Sequence, residues 1–361
     1  MASDDPHPSR RGRIVFVTRK WAPAMGGMET YSLRLSAELA KMHSIEVIAL
    51  PGNADGSPPS MLRLLAFPLQ ALRRYWRMRA EVSVLHLADM AIWPLALLAL
   101  LGPNCPVIVL SAHGTDVSYH RRKTIRAKLY GAYLKLGARL LPKARVIANS
   151  RATRDVASET GWQCHAVIPL ATDMQGPEPD GSHQGYILFA GRLVERKGCG
   201  WFIRNVLPLL PRDTELKVAG TLWDASEKAA LDDPRVSFIG ALPPAGLIDA
   251  YRNALCVIVP NIPVASGEYE GFGLVAPEAA AAGAFVLASD CDGLRDAVID
   301  NVTGRLLPPG DAKAWAGKIR EIADMTTADR RLFLSESLRV ARQRFAWNHV
   351  AEDVLSVYQS A

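Results

Sequence analysis

The sequence predicts an α/β protein made of two tandem units, each with a parallel sheet covered by helices. Short apolar runs alternate with amphipathic helical stretches along almost the whole chain. This alternation is interrupted at residues 171–185, where Gly, Pro and acidic residues accumulate without apolar periodicity. The chain has 361 residues, which is more than one hydrophobic core usually serves. We therefore expect one domain over 1–172 and a second over 183–344.

In the first unit, the expected strands are short apolar runs at 12–18, 45–50, 82–87, 106–111, 145–149 and 166–169. Helices are expected at 28–42 and 90–101, and the second of these is shorter than the roughly 20 apolar residues that span a bilayer. Residues 1–12 form a polar lead-in without the pattern of a secretory signal. We therefore expect a cytoplasmic protein.

In the second unit, strands are expected at 186–190, 215–219, 236–239, 256–259 and 285–288. Helices are expected at 198–210, 247–253, 276–282 and 312–323. Parallel sheets of this kind bind ligands beyond the carboxyl ends of their strands. A pocket between the two domains is therefore the expected site.

The charge of the chain is distributed unevenly. The formal net charge is +6, with +11 in residues 1–175 and −5 in the remainder. This asymmetry predicts that the N-terminal half faces something anionic. The basic runs lack the aromatic interleaving of single-strand readers, so we expect no nucleic-acid partner. The five cysteines form no C-x-x-C pair, which indicates reduced thiols rather than a metal site.

Two candidate ligand positions follow strands of the first unit. Gly26 and Gly27 lie between a strand and a helix, where backbone N–H groups can approach a phosphate. A purely structural turn is the alternative, since the pattern is neither G-x-G-x-x-G nor a Walker loop. His113 follows the expected strand at 106–111, a position where functional residues concentrate. A structural histidine is the alternative there.

In the second unit, the first expected strand ends at Gly191 and is followed by Arg192 and Lys197. Two cations beside a helix start can clamp a diphosphate, because Arg grips bidentately and Lys acts as a point charge. The intervening Glu195 and Arg196 are expected to be a solvated part of the turn.

A second motif of this unit contains two carboxylates, Glu270 and Glu278, separated by a glycine turn and the start of a helix. The first carboxylate can bind sugar hydroxyls and the second can reach a ribose diol. The backbone N–H groups of the turn can hold phosphate.

The 270–278 segment resembles the E-x7-E motif of retaining glycosyltransferase family four, the group 1 glycosyltransferases. The resemblance extends along the chain in order, through 26–29, the R-x4-K pattern at 192–197, and the segments 219–220, 236–240, 301–311 and 345–349. It implies the GT-B fold, in which two Rossmann-like domains face each other across a cleft. The N-terminal domain would bind the acceptor and the C-terminal domain the donor. A last helix at about 345–361 would pack back on the N-terminal domain.

Carried over to this sequence, the resemblance implies a role for each matching residue. Arg192 and Lys197 would bind the donor diphosphate beside Gly191, and Gly27 would lie near the distal phosphate. Glu270 would hold the sugar hydroxyls and Glu278 the ribose. Phe272, Gly273 and Leu274 would supply backbone contacts, and His113 would lie near the C6 side of the sugar.

The implied reaction transfers a hexose-type sugar with retention from a UDP- or GDP-sugar, which is a co-substrate rather than a cofactor. Arg192 and Lys197 would neutralise the phosphates, so no metal is expected. The D-x-D match at Asp290 and Asp292 is interpreted as a loop. A non-catalytic nucleotide-sugar sensor and a synthase with a sugar or sugar-phosphate acceptor remain alternatives. A nicotinamide dehydrogenase is disfavoured because no G-x-G-x-x-G turn follows a strand.

The acceptor is inferred from two basic stretches of the first unit. Residues 61–79 combine Leu, Phe and Trp with several arginines, and 121–128 is a second basic run. Such a surface suits anionic lipid headgroups. We therefore expect a lipid-linked glycan or surface-polysaccharide precursor as acceptor, and peripheral association with the inner face of the plasma membrane. The alternative is a helix that packs its leucines inward and leaves its arginines in solvent.

Overall fold

The computed structural model describes residues 12–24, 26–53, 59–100 and 104–360. Most of the lead-in expected at 1–12 therefore lies outside the described residues. The described chain contains two six-stranded sheets in which every strand pair is parallel. The prediction of two tandem α/β units is confirmed.

The first sheet has the strand order β2-β1-β3-β4-β5-β6. Its strands are β1 (Arg13–Trp21), β2 (Ile45–Pro51), β3 (Val82–Leu87), β4 (Val107–Ala112), β5 (Arg145–Ala148) and β6 (Cys164–Val167). The helices of this domain are α1 (Gly27–Met42), α2 (Met61–Met78), α3 (Pro94–Ala99), α4 (Thr115–Ser118), α5 (Ile125–Leu140) and α6 (Arg151–Ser158).

Both faces of the first sheet are buried. Because successive side chains of a strand point to opposite sides, each strand contributes residues to two cores. Ile14 and Phe16 of β1 join the core beneath α1, whereas Val15 and Val17 join the core beneath α2, α3 and α5. This explains why the strands read as continuous apolar runs in the sequence.

Helix α2 has two apolar faces, one buried against the sheet and one exposed. Ser60 caps its start by accepting a hydrogen bond from the N–H of Arg63. Phe67, Ala71 and Tyr75, spaced four residues apart, pack against the sheet. The leucines at 62, 65 and 69 are instead between 60% and 81% exposed, so the interpretation that these leucines pack inward is wrong.

The second sheet has the strand order β12-β11-β10-β7-β8-β9. Its strands are β7 (Ile187–Leu193), β8 (Leu216–Leu222), β9 (Val236–Gly240), β10 (Cys256–Val259), β11 (Val286–Ser289) and β12 (Arg305–Leu307). The helices that follow are α7 (Cys199–Asn205), α8 (Ala225–Lys228), α9 (Pro244–Asn253), α10 (Val275–Ala281), α11 (Leu294–Ala297), α12 (Ala312–Ala323), α13 (Thr327–Arg344) and α14 (Trp347–Gln359).

Two expected helices differ in the structure. The helix expected at 198–210 ends at Asn205 and is followed by a short 3₁₀ turn, Leu207–Leu209. Pro208 accounts for this, because proline cannot donate the hydrogen bond that continues an α-helix. Similarly, the stretch at 90–101 is a 3₁₀ turn (Met90–Ile92) followed by α3, which begins at Pro94. Residue 101 lies outside the described residues.

The chain crosses between the domains twice. The segment from 171 to 186 has no regular secondary structure and leads into β7. The second crossing is at Phe345, whose carbonyl accepts a hydrogen bond from the N–H of Thr172 at 3.0 Å. Helix α14 then lies against α1, and its Tyr358 hydroxyl lies 2.6 Å from Nδ1 of the buried His86 in β3. The last helix therefore packs on the first domain.

Candidate functional site between the two domains

The turn that joins β7 to α7 is pinned against the end of β10. Gly198 has φ +70°, and a Cβ atom there would lie 1.9 Å from the carbonyl oxygen of Pro260. The N–H of Ile262 also donates to the carbonyl of Arg196 at 3.0 Å. This close approach places the side chains of Arg196 and Lys197 beside Glu270.

One oxygen of the Glu270 carboxylate accepts three donors. Oε2 lies 2.8 Å from Nη1 of Arg196 and 3.1 Å from Nδ2 of Asn261, and it is ion-paired with Nζ of Lys197. The N–H of Glu270 donates to Oδ2 of Asp292 at 3.1 Å. Within the described chain no hydrogen bond or ion pair involves Oε1 of Glu270, so this oxygen remains available to a ligand.

Glu270 is ionised at all ordinary pH values. Its burial disfavours the charged form, but the charges of Lys197 and Arg196 outweigh burial and lower the pKa of Glu270 to about 2. A buried carboxylate with one free oxygen is a strong acceptor for hydroxyl groups.

The expectation that Arg196 is solvated is wrong. Its side chain is only 15% exposed and pairs with Glu270, in the same way as Lys197. Arg192 lies elsewhere: it is exposed at the end of β7, and its guanidinium carbon is 5.2 Å from the ring centroid of Trp223. The structure thus brings Lys197 to Glu270 but leaves Arg192 outside this cluster.

A cavity of about 560 Å³ lies between the domains, near the first crossing of the chain. Gly26 and Gly27, at the start of α1, line it from the first domain, and Leu274 and Glu278 line it from the second. A Cβ atom on Gly27 would lie 3.5 Å from Cδ1 of Leu274. The two predicted phosphate-binding segments therefore face each other.

Glu278 differs from Glu270 in its electrostatic environment. Burial raises the pKa of Glu278 to about 7, although the charge of Lys197 opposes this rise. Its carboxyl group is thus partly protonated near neutral pH, and it reaches the cavity from α10. Such a group can accept from or donate to a diol.

The glycine turn between the two carboxylates touches the first domain directly. Gly273 has φ +93°, which permits the sharp turn into α10. A Cβ atom on Gly271 would lie 2.1 Å from the carbonyl oxygen of His113, and Ser150 Oγ donates to the carbonyl of Gly271 at 2.6 Å. Phe272 is buried, with its ring edge-on to Phe345.

His113 is held as a neutral ring at this junction. Its Nε2 lies 3.0 Å from the carbonyl of Ala88, which fixes the proton on Nε2, and Nδ1 has no partner in the described residues. Asp116 accepts the N–H of His113 at 3.0 Å. Burial lowers the pKa of His113, against the opposing charges of Asp116 and Asp89. His113 therefore offers an unpaired acceptor atom.

Asp290 and Asp292 lie in a turn after β11, as predicted. Asp290 pairs with Arg295 at 2.7 Å, and Asp292 accepts the N–H of Glu270. Over the described ranges, no three His, Cys, Asp or Glu side chains form a group that could hold a metal ion. Both aspartates have structural partners.

Sequence reasoning missed Arg196, Asn261 and Asp116. Arg196 stands directly before Lys197, and only the geometry of the turn distinguishes the two from a solvated pair. Asn261 follows the end of β10, and Asp116 lies three residues beyond His113. Their positions after strand ends were the available signal, because such edges line ligand sites in parallel sheets.

Comparison with known families assigns both halves of the chain. Residues 25–175 match the family described as Glycosyltransferase Family 4, and residues 184–325 match the family described as Glycosyl transferases group 1. The gap between the two matches coincides with the irregular segment before β7.

Curated relatives are similar to this chain over different lengths. A D-inositol 3-phosphate glycosyltransferase of Saccharomonospora viridis is 33% identical, over 48% of this chain and 42% of the relative. The match therefore spans less than half the length of that protein. A phosphatidyl-myo-inositol mannosyltransferase of Mycobacterium leprae is 26% identical over 93% of both chains.

Solved structures resemble the whole chain. HepE of Anabaena in complex with UDP has a TM-score of 0.70 and 18% identity, covering 97% of this chain and all of that one. A sucrose-phosphate synthase from Thermosynechococcus elongatus has a TM-score of 0.71 and 21% identity, covering 97% and 98% of the two chains. With both of its halves matched and its fold shared, this chain belongs to glycosyltransferase family four, the group 1 glycosyltransferases, and has the GT-B fold.

Proposed function

We propose that this protein is a retaining glycosyltransferase that moves a hexose-type sugar from a nucleotide diphosphate sugar to an acceptor hydroxyl. The observation that carries the proposal is the state of Glu270: buried, ionised, saturated on Oε2 and free on Oε1. A sugar hydroxyl is the natural donor to that free oxygen. The unpaired Nδ1 of His113 is a second acceptor on the opposite domain.

The diphosphate of the donor would lie between Glu270 and the start of α1. Lys197 and Arg192 provide positive charge from one side, and the backbone at Gly26 and Gly27 approaches from the other. Glu278, which lines the cavity, would bind the ribose. The likeness to HepE, whose structure contains UDP, favours UDP over GDP.

Retention follows if the acceptor attacks the face that the diphosphate leaves. A leaving phosphate oxygen then takes the acceptor's proton, so no separate base is needed. Catalysis rests on stabilising the charge that develops on the diphosphate. Arg192 and Lys197 supply that stabilisation in this proposal, and no metal ion is required.

A transfer assay with UDP- and GDP-hexoses tests this proposal. We expect Arg192→Ala and Lys197→Ala each to lower turnover by about a hundred- to a thousand-fold. Glu195→Gln, an exposed change on the same turn, is the matched control and should leave turnover unchanged. If both cation variants keep normal turnover, or if the product has the inverted anomeric configuration, the proposal fails.

We further propose that the acceptor is linked to a lipid and that the first domain docks on an anionic membrane. The outer face of α2 carries Leu62, Leu65 and Leu69, all at least 60% exposed, together with Arg73 and Arg77. On the same side of the sheet, α5 exposes a similar row, namely Ile125, Leu129, Leu136 and Leu140. Apolar rows flanked by cations suit the interface of an anionic bilayer. No helix in the described part of the chain is long and apolar enough to cross a bilayer.

Flotation with liposomes tests the docking proposal. We expect the protein to float with vesicles that contain phosphatidylglycerol at low salt, and to do so less when Leu65 and Leu69 are both changed to Ser. Leu332→Ser removes a leucine that is 74% exposed on the second domain and serves as the control. Absence of co-flotation at low salt, or equal loss in the control, would contradict membrane docking.

A soluble phosphorylated acceptor is the second candidate. The curated relatives named D-inositol 3-phosphate glycosyltransferase favour it, and the basic first domain would suit an anionic acceptor. The same transfer assay with inositol 3-phosphate distinguishes the two candidates. Transfer to that compound without added lipid would favour the soluble acceptor.

A further inference from the structure

Trp223 stands out because it is a large aromatic residue that the fold does not bury. Its side chain is 64% exposed, directly after the carboxyl end of β8. Its ring nevertheless has a defined orientation, since Nε1 donates to Oγ1 of Thr221 at 2.9 Å. The guanidinium of Arg192 lies over the ring, 5.2 Å from its centroid.

The backbone around Trp223 is fastened to the strand that carries Arg192. The N–H groups of Trp223 and Asp224 both donate to the carbonyl of Leu193, at 3.2 and 3.1 Å. Oδ2 of Asp224 in turn accepts the N–H of Glu195 at 3.0 Å. The segment 221–224 therefore holds the first part of the turn between Arg192 and Lys197, at Leu193 and Glu195.

Two glycines bring these segments together. Gly191 has φ +141° and Gly220 has φ +144°, and a Cβ atom on Gly220 would lie 1.8 Å from the carbonyl oxygen of Gly191. Strands β7 and β8 thus approach more closely at their carboxyl ends than side chains would allow. This close approach places the Trp223 ring against Arg192.

Arg192 has no partner besides Trp223 in the part of the chain that the structure describes. Across the described residues, its side chain forms no ion pair and no hydrogen bond, and the ring of Trp223 is its one aromatic contact. An exposed arginine without a partner samples many rotamers, and it loses that freedom when it binds a ligand. A guanidinium held over an aromatic face has already lost part of that rotamer freedom, so it loses less when a ligand binds.

We propose that Trp223 is a positioning residue that holds the Arg192 guanidinium ready for the donor diphosphate. This inference rests on the proposed function, since it assumes that Arg192 binds that diphosphate. Trp223 acts through Arg192 and not by contact with the reacting atoms. Its effect should therefore depend on the distal phosphate of the ligand and on the presence of Arg192.

A double-mutant cycle measured by calorimetry tests this inference, with UDP and UMP as ligands. We expect Trp223→Ala to weaken UDP binding by about two- to five-fold, the range for a cation–π contact at an exposed site. Trp223→Phe should retain most of the affinity because a ring remains. Leu222→Ala, a change at an exposed neighbour on the same strand end, is the control and should leave UDP affinity unchanged.

Two results would support the inference: the loss caused by Trp223→Ala disappears in an Arg192→Ala background, and UMP binding is unaffected. An equal loss in that background, an equal loss for UMP, or no loss at all would overturn it. An equal loss for UMP would instead indicate that Trp223 stacks on the nucleoside. If the wild-type protein bound UDP while Arg192→Ala had no effect, the proposed diphosphate clamp would fail together with this inference.

Discussion

At the scale of single residues, the carboxylate of Glu270 has two cationic partners, Arg196 and Lys197. A bound diphosphate would draw Lys197 away from the carboxylate, leaving a buried negative charge that is costly without a partner. Arg196 and Asn261 remain on Oε2 and keep the carboxylate oriented. In the proposed site, the ion pair with Arg196 would therefore allow Lys197 to change partners.

Arg196→Gln tests whether Arg196 keeps Glu270 oriented while Lys197 binds the ligand. Hydrogen bonds to charged groups contribute about 1.5–3 kcal/mol, so we expect kcat/KM for the donor to fall by about ten- to a hundred-fold. The pKa of Glu270 should also rise, because one of its two cations is lost. Steady-state kinetics from about pH 5 to 8, the range in which proteins tend to be most stable, would measure the loss of kcat/KM. The raised pKa of Glu270 would show as a further loss of activity toward the acidic end of that range. A change similar to that of Glu195→Gln would contradict this role.

Glu278 should give donor binding a pH dependence near neutrality. Its pKa is raised to about 7, so it is protonated below that value and ionised above it. In the proposed site the ionised form would accept both ribose hydroxyls, and nucleotide affinity should therefore rise as the pH increases from 6 to 8, about one unit on either side of that pKa. Glu278→Gln should remove this rise except for the part due to ionisation of the phosphate itself. If nucleotide affinity in Glu278→Gln depends on pH as it does in the wild-type protein, another group is responsible for that dependence.

At this scale the sequence predicted residue types better than contacts. The two carboxylates and Lys197 were recognisable by spacing, and the structure brings Glu270 and Lys197 into contact. Arg196 was not recognisable, because a turn rich in charged residues looks solvated unless the direction of each side chain is known. Its direction is set by the left-handed Gly198 and by packing against Pro260, which are tertiary effects.

At the scale of elements, α14 is attached to the first domain by a buried polar chain. The Tyr358 hydroxyl lies 2.6 Å from His86 Nδ1, Nε2 of His86 lies 2.7 Å from Ser111 Oγ, and that oxygen lies 2.8 Å from the Tyr31 hydroxyl. Burial lowers the pKa of His86 to about 3, so the ring stays neutral. Each hydrogen bond of this buried network is strengthened by the adjacent ones.

Tyr358→Phe should destabilise the protein by about 1–3 kcal/mol, because it leaves a buried nitrogen of His86 without a partner. Ser356→Ala, two residues away on the exposed side of α14, is the control and should have little effect. Urea unfolding measures the free energy of unfolding of both variants and of the wild-type protein. Equal stability of Tyr358→Phe and the wild-type protein would show that these buried hydrogen bonds make no net contribution to the free energy of unfolding.

Strands were predictable as elements because both faces of each sheet are buried and their sequences are continuously apolar. Their ends shifted by a few residues, as at β6, which begins at Cys164 instead of 166. Strand β12 is too short to form a recognisable run, and α13 is largely polar, so neither was predicted. Pro208 is a signal for the end of α7 that the sequence does contain, since proline cannot continue the hydrogen bonding of an α-helix.

At the scale of the molecule, the domains meet through backbone contact as well as ion pairs. Gly271 lies against the carbonyl of His113, while Arg151 pairs with Asp296 at 2.8 Å and Arg122 with Glu268 at 2.6 Å. The ion pairs are partly exposed and each contributes little. The backbone contact is therefore the more sensitive part of this interface.

Gly271→Ala should force the domains apart. Its Cβ would lie 2.1 Å from a backbone oxygen, which cannot move without shifting the first domain. We expect a larger radius of gyration in small-angle X-ray scattering and weaker nucleotide binding. Gly317→Ala, in α12 with no atom within 4 Å of the added methyl group, is the control. A variant as compact as the control would contradict this role for Gly271.

The two crossings of the chain also limit how the domains can rotate. The linker at Thr172 and the return at Phe345 are joined by a hydrogen bond, so they form a paired pivot rather than a single tether. Two adjacent attachment points permit bending about one axis and resist twisting. Because Glu278 and Gly27 line the same cavity as Thr172, they lie near that axis and keep their spacing through most of the rotation. In the proposed donor site, the nucleoside would therefore bind close to the pivot, and a rotation of the domains would change the spacing mainly at the end of the cleft away from it.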